Sequence, residues 1–278
     1  MKVIDGKALA ESIRAELKEK IAKSKKIPGL AVVIVGEDPA SKIYVRNKIK
    51  ACNEMGIRSM SYEFPADISQ KELEDFLDSL AENAEVDGIL LQLPLPKGLD
   101  ANRAMKRIPV TKDVDGFSSE NLGRLVQNKK CITACTPLGV MKLLENEKID
   151  LNGKHAVVLG RSETVGKPMA MLLLNANATV TVCHSKTKNL KEICQLADIL
   201  IVAVGKAKFV TQDMVKKDAV VIDVGINRDE NGKLCGDVDF ENVKEQASLI
   251  SPVPGGVGPM TITMLLYNTC LVALKEEE

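Results

Sequence analysis

Short β-branched runs alternate with amphipathic stretches along almost the whole chain, and this pattern restricts the fold more than any other feature. The runs are Leu30–Val35, Ile57–Glu63, Gly88–Leu93, Ala156–Leu159, Thr179–Cys183, Ile199–Val204 and Ala219–Val224. Helical patterns separate them at Ala40–Met55, Gln70–Asn83, Leu138–Asn146, Lys167–Asn175 and Leu190–Leu196. Strands that alternate with helices predict α/β architecture, with parallel sheets covered on both faces. An opening helix, Gly6 to Lys23, places Leu9, Ile13, Leu17 and Ile21 four residues apart. The passage from Pro94 to Pro137 is read as irregular and as the change of domain, and SPVPGGVGPMT leads into a closing apolar helix from about Met260 to Leu274. That helix is expected to pack back on the N-terminal domain.

Composition narrows the function classes. With 278 residues the chain has room for two modest cores. Its 38 basic and 38 acidic residues cancel, which argues against a nucleic-acid partner or an acidic membrane surface. The start MKVIDGKALAESIRAEL lacks the apolar run of a signal peptide, and no apolar stretch is read as long enough to cross a bilayer. A cytoplasmic protein is expected. Seven scattered cysteines, mostly in apolar segments, read as reduced and buried thiols. With only His155 and His184 as histidines and no cysteine quartet, no metal site is expected.

Three places carry candidate chemistry. In His155-AVVLGRSETVGKPMA a buried-strand pattern runs into a turn bracketed by Gly160 and Gly166, with Pro168 in the first helical turn. Such a turn and its helix N-terminus suit a pyrophosphate. Ser162 stands at the second glycine of the usual fingerprint, so a plain tight turn remains the alternative. The following strand ends in His184-Ser185-Lys186 without the acid that binds ribose hydroxyls in NAD sites. Arg161, Ser185 and Lys186 there favour NADP, against the alternative of an exposed basic loop.

The second place is Tyr44 and Lys48, four apart on one helical face. They precede the glycine turn, the reverse of the order in short-chain dehydrogenases. Gln92 ends an apolar strand at the carboxyl end, where open α/β sheets place ligands. Asp113 and Asp115 lie in the junction, where either acid is equally suited to capping a turn. The third is Pro252-VPGGVGPMT, whose glycines permit close approach to a flat ligand or simply link to the last helix.

Taken in order, VGEDPASKIYVRNKIKACNEMGI, DGILLQLPLP, KDVDGF, CTPLGV, GRSETVGKPMA, CHSKT, ADILIVAVGK, VVIDVGIN, GDVD and PVPGGVGPMT resemble the bifunctional methylenetetrahydrofolate dehydrogenase/methenyltetrahydrofolate cyclohydrolase family, over residues 35 to 263. The resemblance implies an N-terminal α/β catalytic, folate-binding domain at 1–118, completed by helix 259–278. It implies a C-terminal Rossmann-like NADP-binding domain at 135–255, a cleft between the two, and a homodimer. By motif, Tyr44, Lys48, Gln92 and Asp115 are the catalytic set: Tyr44 lines the folate, Lys48 is the catalytic lysine, Gln92 hydrogen-bonds it, and Asp115 grips the pterin. Leu93, Pro94 and the run Pro254, Gly255, Gly256, Val257, Gly258, Pro259, Met260 and Thr261 complete the folate site. Gly160, Arg161, Ser162, Gly166, Ser185 and Ile226 contact NADP. Ser118, Ala134 and Ala207 depart from the family pattern, outside the catalytic positions.

The implied activity is oxidation of 5,10-methylenetetrahydrofolate with NADP, then hydrolysis of the methenyl product to 10-formyltetrahydrofolate. The first step abstracts no proton, and the second moves two. A dehydrogenase without the second activity, a non-catalytic NADP-binding regulator, and an NADP enzyme for another acid remain the alternatives.

Overall fold

The computed structural model describes residues 2–274. In chain order its strands are β1 (Lys2–Val3), β2 (Gly29–Val35), β3 (Arg58–Phe64), β4 (Gly88–Leu91), β5 (His155–Leu159), β6 (Thr179–Cys183), β7 (Ile199–Val202), β8 (Val220–Asp223), β9 (Asn227–Arg228), β10 (Leu234–Cys235) and β11 (Leu249–Ile250). The helices are α1 (Gly6–Lys23), α2 (Pro39–Met55), α3 (Gln70–Glu82), α4 (Ala101–Met105), α5 (Ser119–Val126), α6 (Cys135–Asn146), α7 (Gly166–Asn175), α8 (Leu190–Cys194), α9 (Phe240–Val243) and α10 (Val257–Leu274). They group into two compact units. Among the described residues one holds Ser12–Arg124, Lys129–Cys135 and 262–274; the other holds 2–11, Leu125–Asn128 and Thr136–Thr261.

In the unit beginning at Ser12 the sheet has three parallel strands in the order β3-β2-β4. All seven residues of the central strand β2 are buried, as its unbroken GLAVVIV run requires. Ala31, Val33 and Val35 point to one face and meet Leu73, Leu77 and Leu80 of α3. A reciprocal capping box between Ser69 and Glu72 starts α3. Asp38 and Pro39 start α2, with Asp38 accepting from Ser41 N at 2.7 Å. Gly56 ends α2 in the left-handed region, at φ 80°.

The passage from Pro94 to Pro137 is less irregular than its composition suggests. It contains α4, capped by Asp100, and α5, for which Ser118 Oγ accepts from Asn121 N at 3.1 Å. Both helices are too short to show a clear period in sequence.

The other unit carries a six-stranded parallel sheet in the order β1-β11-β8-β7-β5-β6, with a separate β9–β10 hairpin. Its inner strands β5, β7 and β8 are buried almost throughout. Residues 2–11 group here, not with residues 12–118, because Lys2 and Val3 pair with Leu249 and Ile250. Two-residue strands leave no period to read.

One expectation needs correction. Val257–Leu274 is long and apolar enough, by length and composition, to cross a membrane, the one such helix among the described residues. It is a core helix: Met260, Met264, Leu265, Leu266 and Cys270 are buried, and so are Thr263, Asn268 and Thr269. Thr269 Oγ1 returns its hydrogen bond to Leu265 O at 2.8 Å, and Asn268 bonds to Val114 and Thr133. The part of the expected closing helix beyond residue 274 lies outside the described residues.

Candidate active site

Helix α2 buries Ser41, Val45, Lys48, Cys52 and Met55, a 4-3-4-3 stripe in which a lysine takes a core position. Lys48 is 9% exposed, and a buried polar nitrogen requires partners. Its Nζ donates to Gln92 Oε1 at 3.1 Å. Gln92 is held in turn: its N–H continues the ladder to Val33 O at 2.8 Å, and its Nε2 donates to Leu93 O at 2.7 Å. That second bond fixes which amide atom faces the lysine. The Leu93–Pro94 peptide that comes next is cis. Tyr44, one turn before Lys48, is 39% exposed.

The two acids of KDVDGF have separate tasks. Buried Asp113 gathers Gly116 N, Phe117 N, Ser118 N and Asn121 Nδ2 at 2.8 to 3.2 Å, and so shapes the loop. Asp115, half-buried, is left facing Lys48 and Cys135. Burial pushes its carboxyl up, the positive charge of Lys48 pulls it down, and the charge of Asp113 adds to the upward push. Cys135 hydrogen-bonds with Asp115, and its Sγ lies 3.4 Å from Val114 O. Burial and the Asp115 charge push this thiol well above its usual range, so it is a neutral donor and not a nucleophile. Asn268 of α10 donates from Nδ2 to Val114 O at 2.9 Å and Thr133 O at 3.0 Å, tying the loop down.

In the unit with the six-stranded sheet, β5 ends at Gly160, where φ is +121° and a Cβ would stand 2.3 Å from Ala203 O. A Cβ on Gly166 would meet Gly160 O at 2.2 Å. Both positions require glycine for sterics alone. Ser162, at the place of the missing glycine, caps α7: its Oγ accepts from Val165 N and Gly166 N, each at 3.2 Å. Beside the turn is a cavity of about 270 Å³ lined by Gly160, Arg161, His184, Ser185, Lys206 and Phe209, with Leu159, Cys183, Leu190, Ala203 and Val204. No carboxylate lines it, while Arg161 and Lys206 do.

The comparison with protein families agrees with both halves. The model described as "Tetrahydrofolate dehydrogenase/cyclohydrolase, catalytic domain" matches residues 4–115, and that for the "NAD(P)-binding domain" of the same family matches residues 134–277. The chain belongs to the tetrahydrofolate dehydrogenase/cyclohydrolase family. It is similar to the bifunctional protein FolD of Campylobacter hominis, 56% identical over 97% of this chain and 96% of the relative. Among solved structures it is similar to the bifunctional methylenetetrahydrofolate dehydrogenase/cyclohydrolase FolD of Campylobacter jejuni, with a TM-score of 0.97, 50% identity and 99% of each chain covered. It is also similar to the Trypanosoma brucei enzyme solved with NADP cofactor and an inhibitor, with a TM-score of 0.93, 39% identity, and 98% and 97% coverage of the two chains.

Within this family member the sequence-based candidates fall into three groups. Lys48, Gln92 and Asp115 come together, with Tyr44 on the same helix as Lys48 and Leu93 and Pro94 directly after Gln92. Gly160, Arg161 and Ser185 share the cavity wall; Ser162 and Gly166 build the turn behind it, and Ile226, 50% exposed, lies just after β8. The third group, Pro254 to Thr261, enters through a cis Val253–Pro254 bond and starts α10. Gly255 has φ +104°, Gly256 is buried, and Gly258 and Pro259 are half-buried. Val257 and Met260 are buried at 4% and 0% exposure, so they offer packing and not side-chain contacts. Thr261 Oγ1 is 2.9 Å from Thr136 Oγ1. The sequence reading missed Cys135, Asn268, Lys206, Asp223 and Asp237; the motifs CTPLGV, VGK, VVIDVGIN and GDVD contain all but Asn268 and were the available signal.

Proposed function

We propose that the protein oxidises 5,10-methylenetetrahydrofolate to 5,10-methenyltetrahydrofolate with NADP and hydrolyses the product to 10-formyltetrahydrofolate. The observation that carries this reading is the buried Lys48 side chain held by Gln92 beside Asp115, at the carboxyl end of β4. Membership of the family and the bifunctional names of its relatives support the reading, as does the NADP bound to the trypanosomal enzyme.

The dinucleotide fits the residues present. The glycine turn leaves room for a backbone approach, and Arg161, Ser185 and Lys206 surround an acid-free cavity suited to a 2′-phosphate. When bound, NADP supplies the hydride acceptor. The protein's own work in that step is alignment, since loss of hydride leaves a cation spread over two folate nitrogens and no proton is abstracted. Tyr44 lines the folate ring, and Asp115 accepts from the amino edge of the pterin.

Hydrolysis makes different demands. Water attacks the cationic carbon, a proton leaves that water, and another reaches the departing nitrogen. Lys48 Nζ handles the proton at the water, with Gln92 Oε1 fixing its position. No metal has a part in either step. The balanced net charge supports small-molecule partners and neither nucleic acid nor membrane, and the protein is read as a cytoplasmic homodimer.

Purified protein incubated with methylenetetrahydrofolate and NADP tests the proposal, with NADPH and formyl product followed separately. Both should accumulate. NADPH without formyl product beyond the uncatalysed rate would reduce the activity to a dehydrogenase, and neither product would sink the reading.

A further inference from the structure

At the carboxyl ends of β7 and β8 two buried carboxylates act in series. Asp237 Oδ2 accepts from Val204 N at 2.6 Å and Gly205 N at 2.9 Å, while Oδ1 accepts from Lys206 N and Asn227 Nδ2, each at 2.8 Å. Three consecutive backbone N–H groups thus converge on one side chain, as they do around a bound anion. Asp237 is itself held from behind. Asp223 Oδ1 accepts from Asp237 N at 3.0 Å and Gly225 N at 2.9 Å, and its Oδ2 accepts from Val238 N at 2.9 Å. The packing admits no side chains between them: a Cβ on Gly225 would meet Asp237 Cγ at 2.2 Å, and one on Gly236 would meet Asp223 Oδ2 at 1.8 Å.

Neither carboxylate lines the cavity beside the glycine turn. Ala203, Val204 and Lys206 do, and Ala203 O is the atom that abuts Gly160. A buried carboxylate without donors is costly, so Asp237, fully buried, holds the three N–H groups of residues 204–206 to itself and with them the course of that loop. We propose that Asp237, set in place by Asp223, is a positioning residue for the dinucleotide. It holds the wall formed by Val204 and Lys206 at the distance from Gly160 and Arg161 that the cofactor needs. The proposal rests on reading this cavity as the NADP site.

The hydrolytic half-reaction needs no dinucleotide, and so reports separately on folding and on the folate site. In Asp237→Asn an amide nitrogen must replace one of two oxygens that each accept two N–H groups. NADPH, titrated by its fluorescence, should bind at least tenfold more weakly, with cyclohydrolase turnover on methenyltetrahydrofolate within twofold of wild type. Asp223→Asn touches the loop only through the Asp237 backbone and should weaken NADPH about threefold, again sparing hydrolysis. If Asp237→Asn loses hydrolysis as well, it has misfolded and Asp223→Asn decides. NADPH affinity within twofold of wild type in a folded Asp237→Asn, or unchanged in Asp223→Asn, overturns the proposal, as does equal loss of both activities in Asp223→Asn. A wild-type protein that fails to bind NADPH defeats the functional reading itself, a result distinct from the others.

Discussion

Asp223 carries its charge at a cost that depends on pH. Burial pushes its carboxyl up to about 6 from 3.8, although the N–H groups of Val238, Asp237 and Gly225 pull it down; the charge of Asp237 adds to the rise. A carboxyl raised in the folded state holds its proton more tightly there than in the unfolded chain. Between about pH 4 and pH 6 the folded protein therefore binds more protons, and its stability falls as pH rises through that window. The gap between 3.8 and about 6 corresponds to about 3 kcal/mol in all, and about 1 kcal/mol of it falls between pH 5 and pH 7. Asp223→Asn removes this slope. The amide leaves one N–H without an acceptor, at a pH-independent cost of about 1–3 kcal/mol. Urea unfolding of both proteins at pH 5 and pH 7, without ligands, isolates the term, because the other titrating groups are common to both. The stability difference should move in the variant's favour by about 1 kcal/mol from pH 5 to pH 7. A constant difference, or movement in the opposite direction, would refute the reasoning.

Lys48→Gln should lower cyclohydrolase activity by the ~10²–10⁴-fold typical of a general acid–base group while hydride transfer survives; an equal fall in both rates on one preparation would make Lys48 a substrate-positioning group. Asp115→Asn should raise the KM for folate and leave that for NADP unchanged, because an amide cannot accept paired hydrogen bonds with both atoms; the reverse pattern would assign Asp115 to the wrong ligand. Arg161→Ala should weaken NADP more than NAD by ~1.5–3 kcal/mol, read as kcat/KM, whereas a uniform loss would mean that Arg161 only shapes the turn. Exhaustive chelation should leave both activities intact, and activity lost to a chelator and restored by zinc or magnesium would contradict the expectation of metal-free catalysis.

What was legible in the sequence was periodic or local. The β-branched run Leu30–Val35 read as a strand, and the four-residue spacing of Tyr44 and Lys48 placed them on one helical face. Gln92 stood out as a polar residue closing an apolar strand. The roles proposed for Tyr44, Asp115 and Pro254 to Thr261 rest on resemblance, since spacing alone left each with a structural alternative. Residue type and spacing did not separate Asp113 from Asp115, which only the resemblance singled out; the fold shows Asp113 taking four N–H donors while Asp115 faces the lysine. Cys135 read as one more apolar-segment thiol, and Asn268 drew no attention within the apolar closing helix. Their partners lie far off in sequence, and Asn268 is 154 residues from Val114. Pairing at that range leaves no mark on local pattern.

Each unit is completed by a segment from far along the chain. β1 must wait for β11, and the loop bearing Asp115 must wait for Asn268. During translation the first stretch, through the KDVDGF loop, therefore leaves the ribosome with its clamp still unmade. The unit beginning at Ser12 gains its last tie only after the other unit has been made, unlike an N-terminal domain that folds before the next one emerges. An expressed fragment ending near residue 118 would lack Thr133, Cys135 and Asn268 together. Lys48 would still sit on its helix, but the backbone under Asp115 would have lost the tie to α10. In such a topology the synthesis of α10, and not of the motif itself, sets the moment at which the loop bearing Asp115 is first tied down.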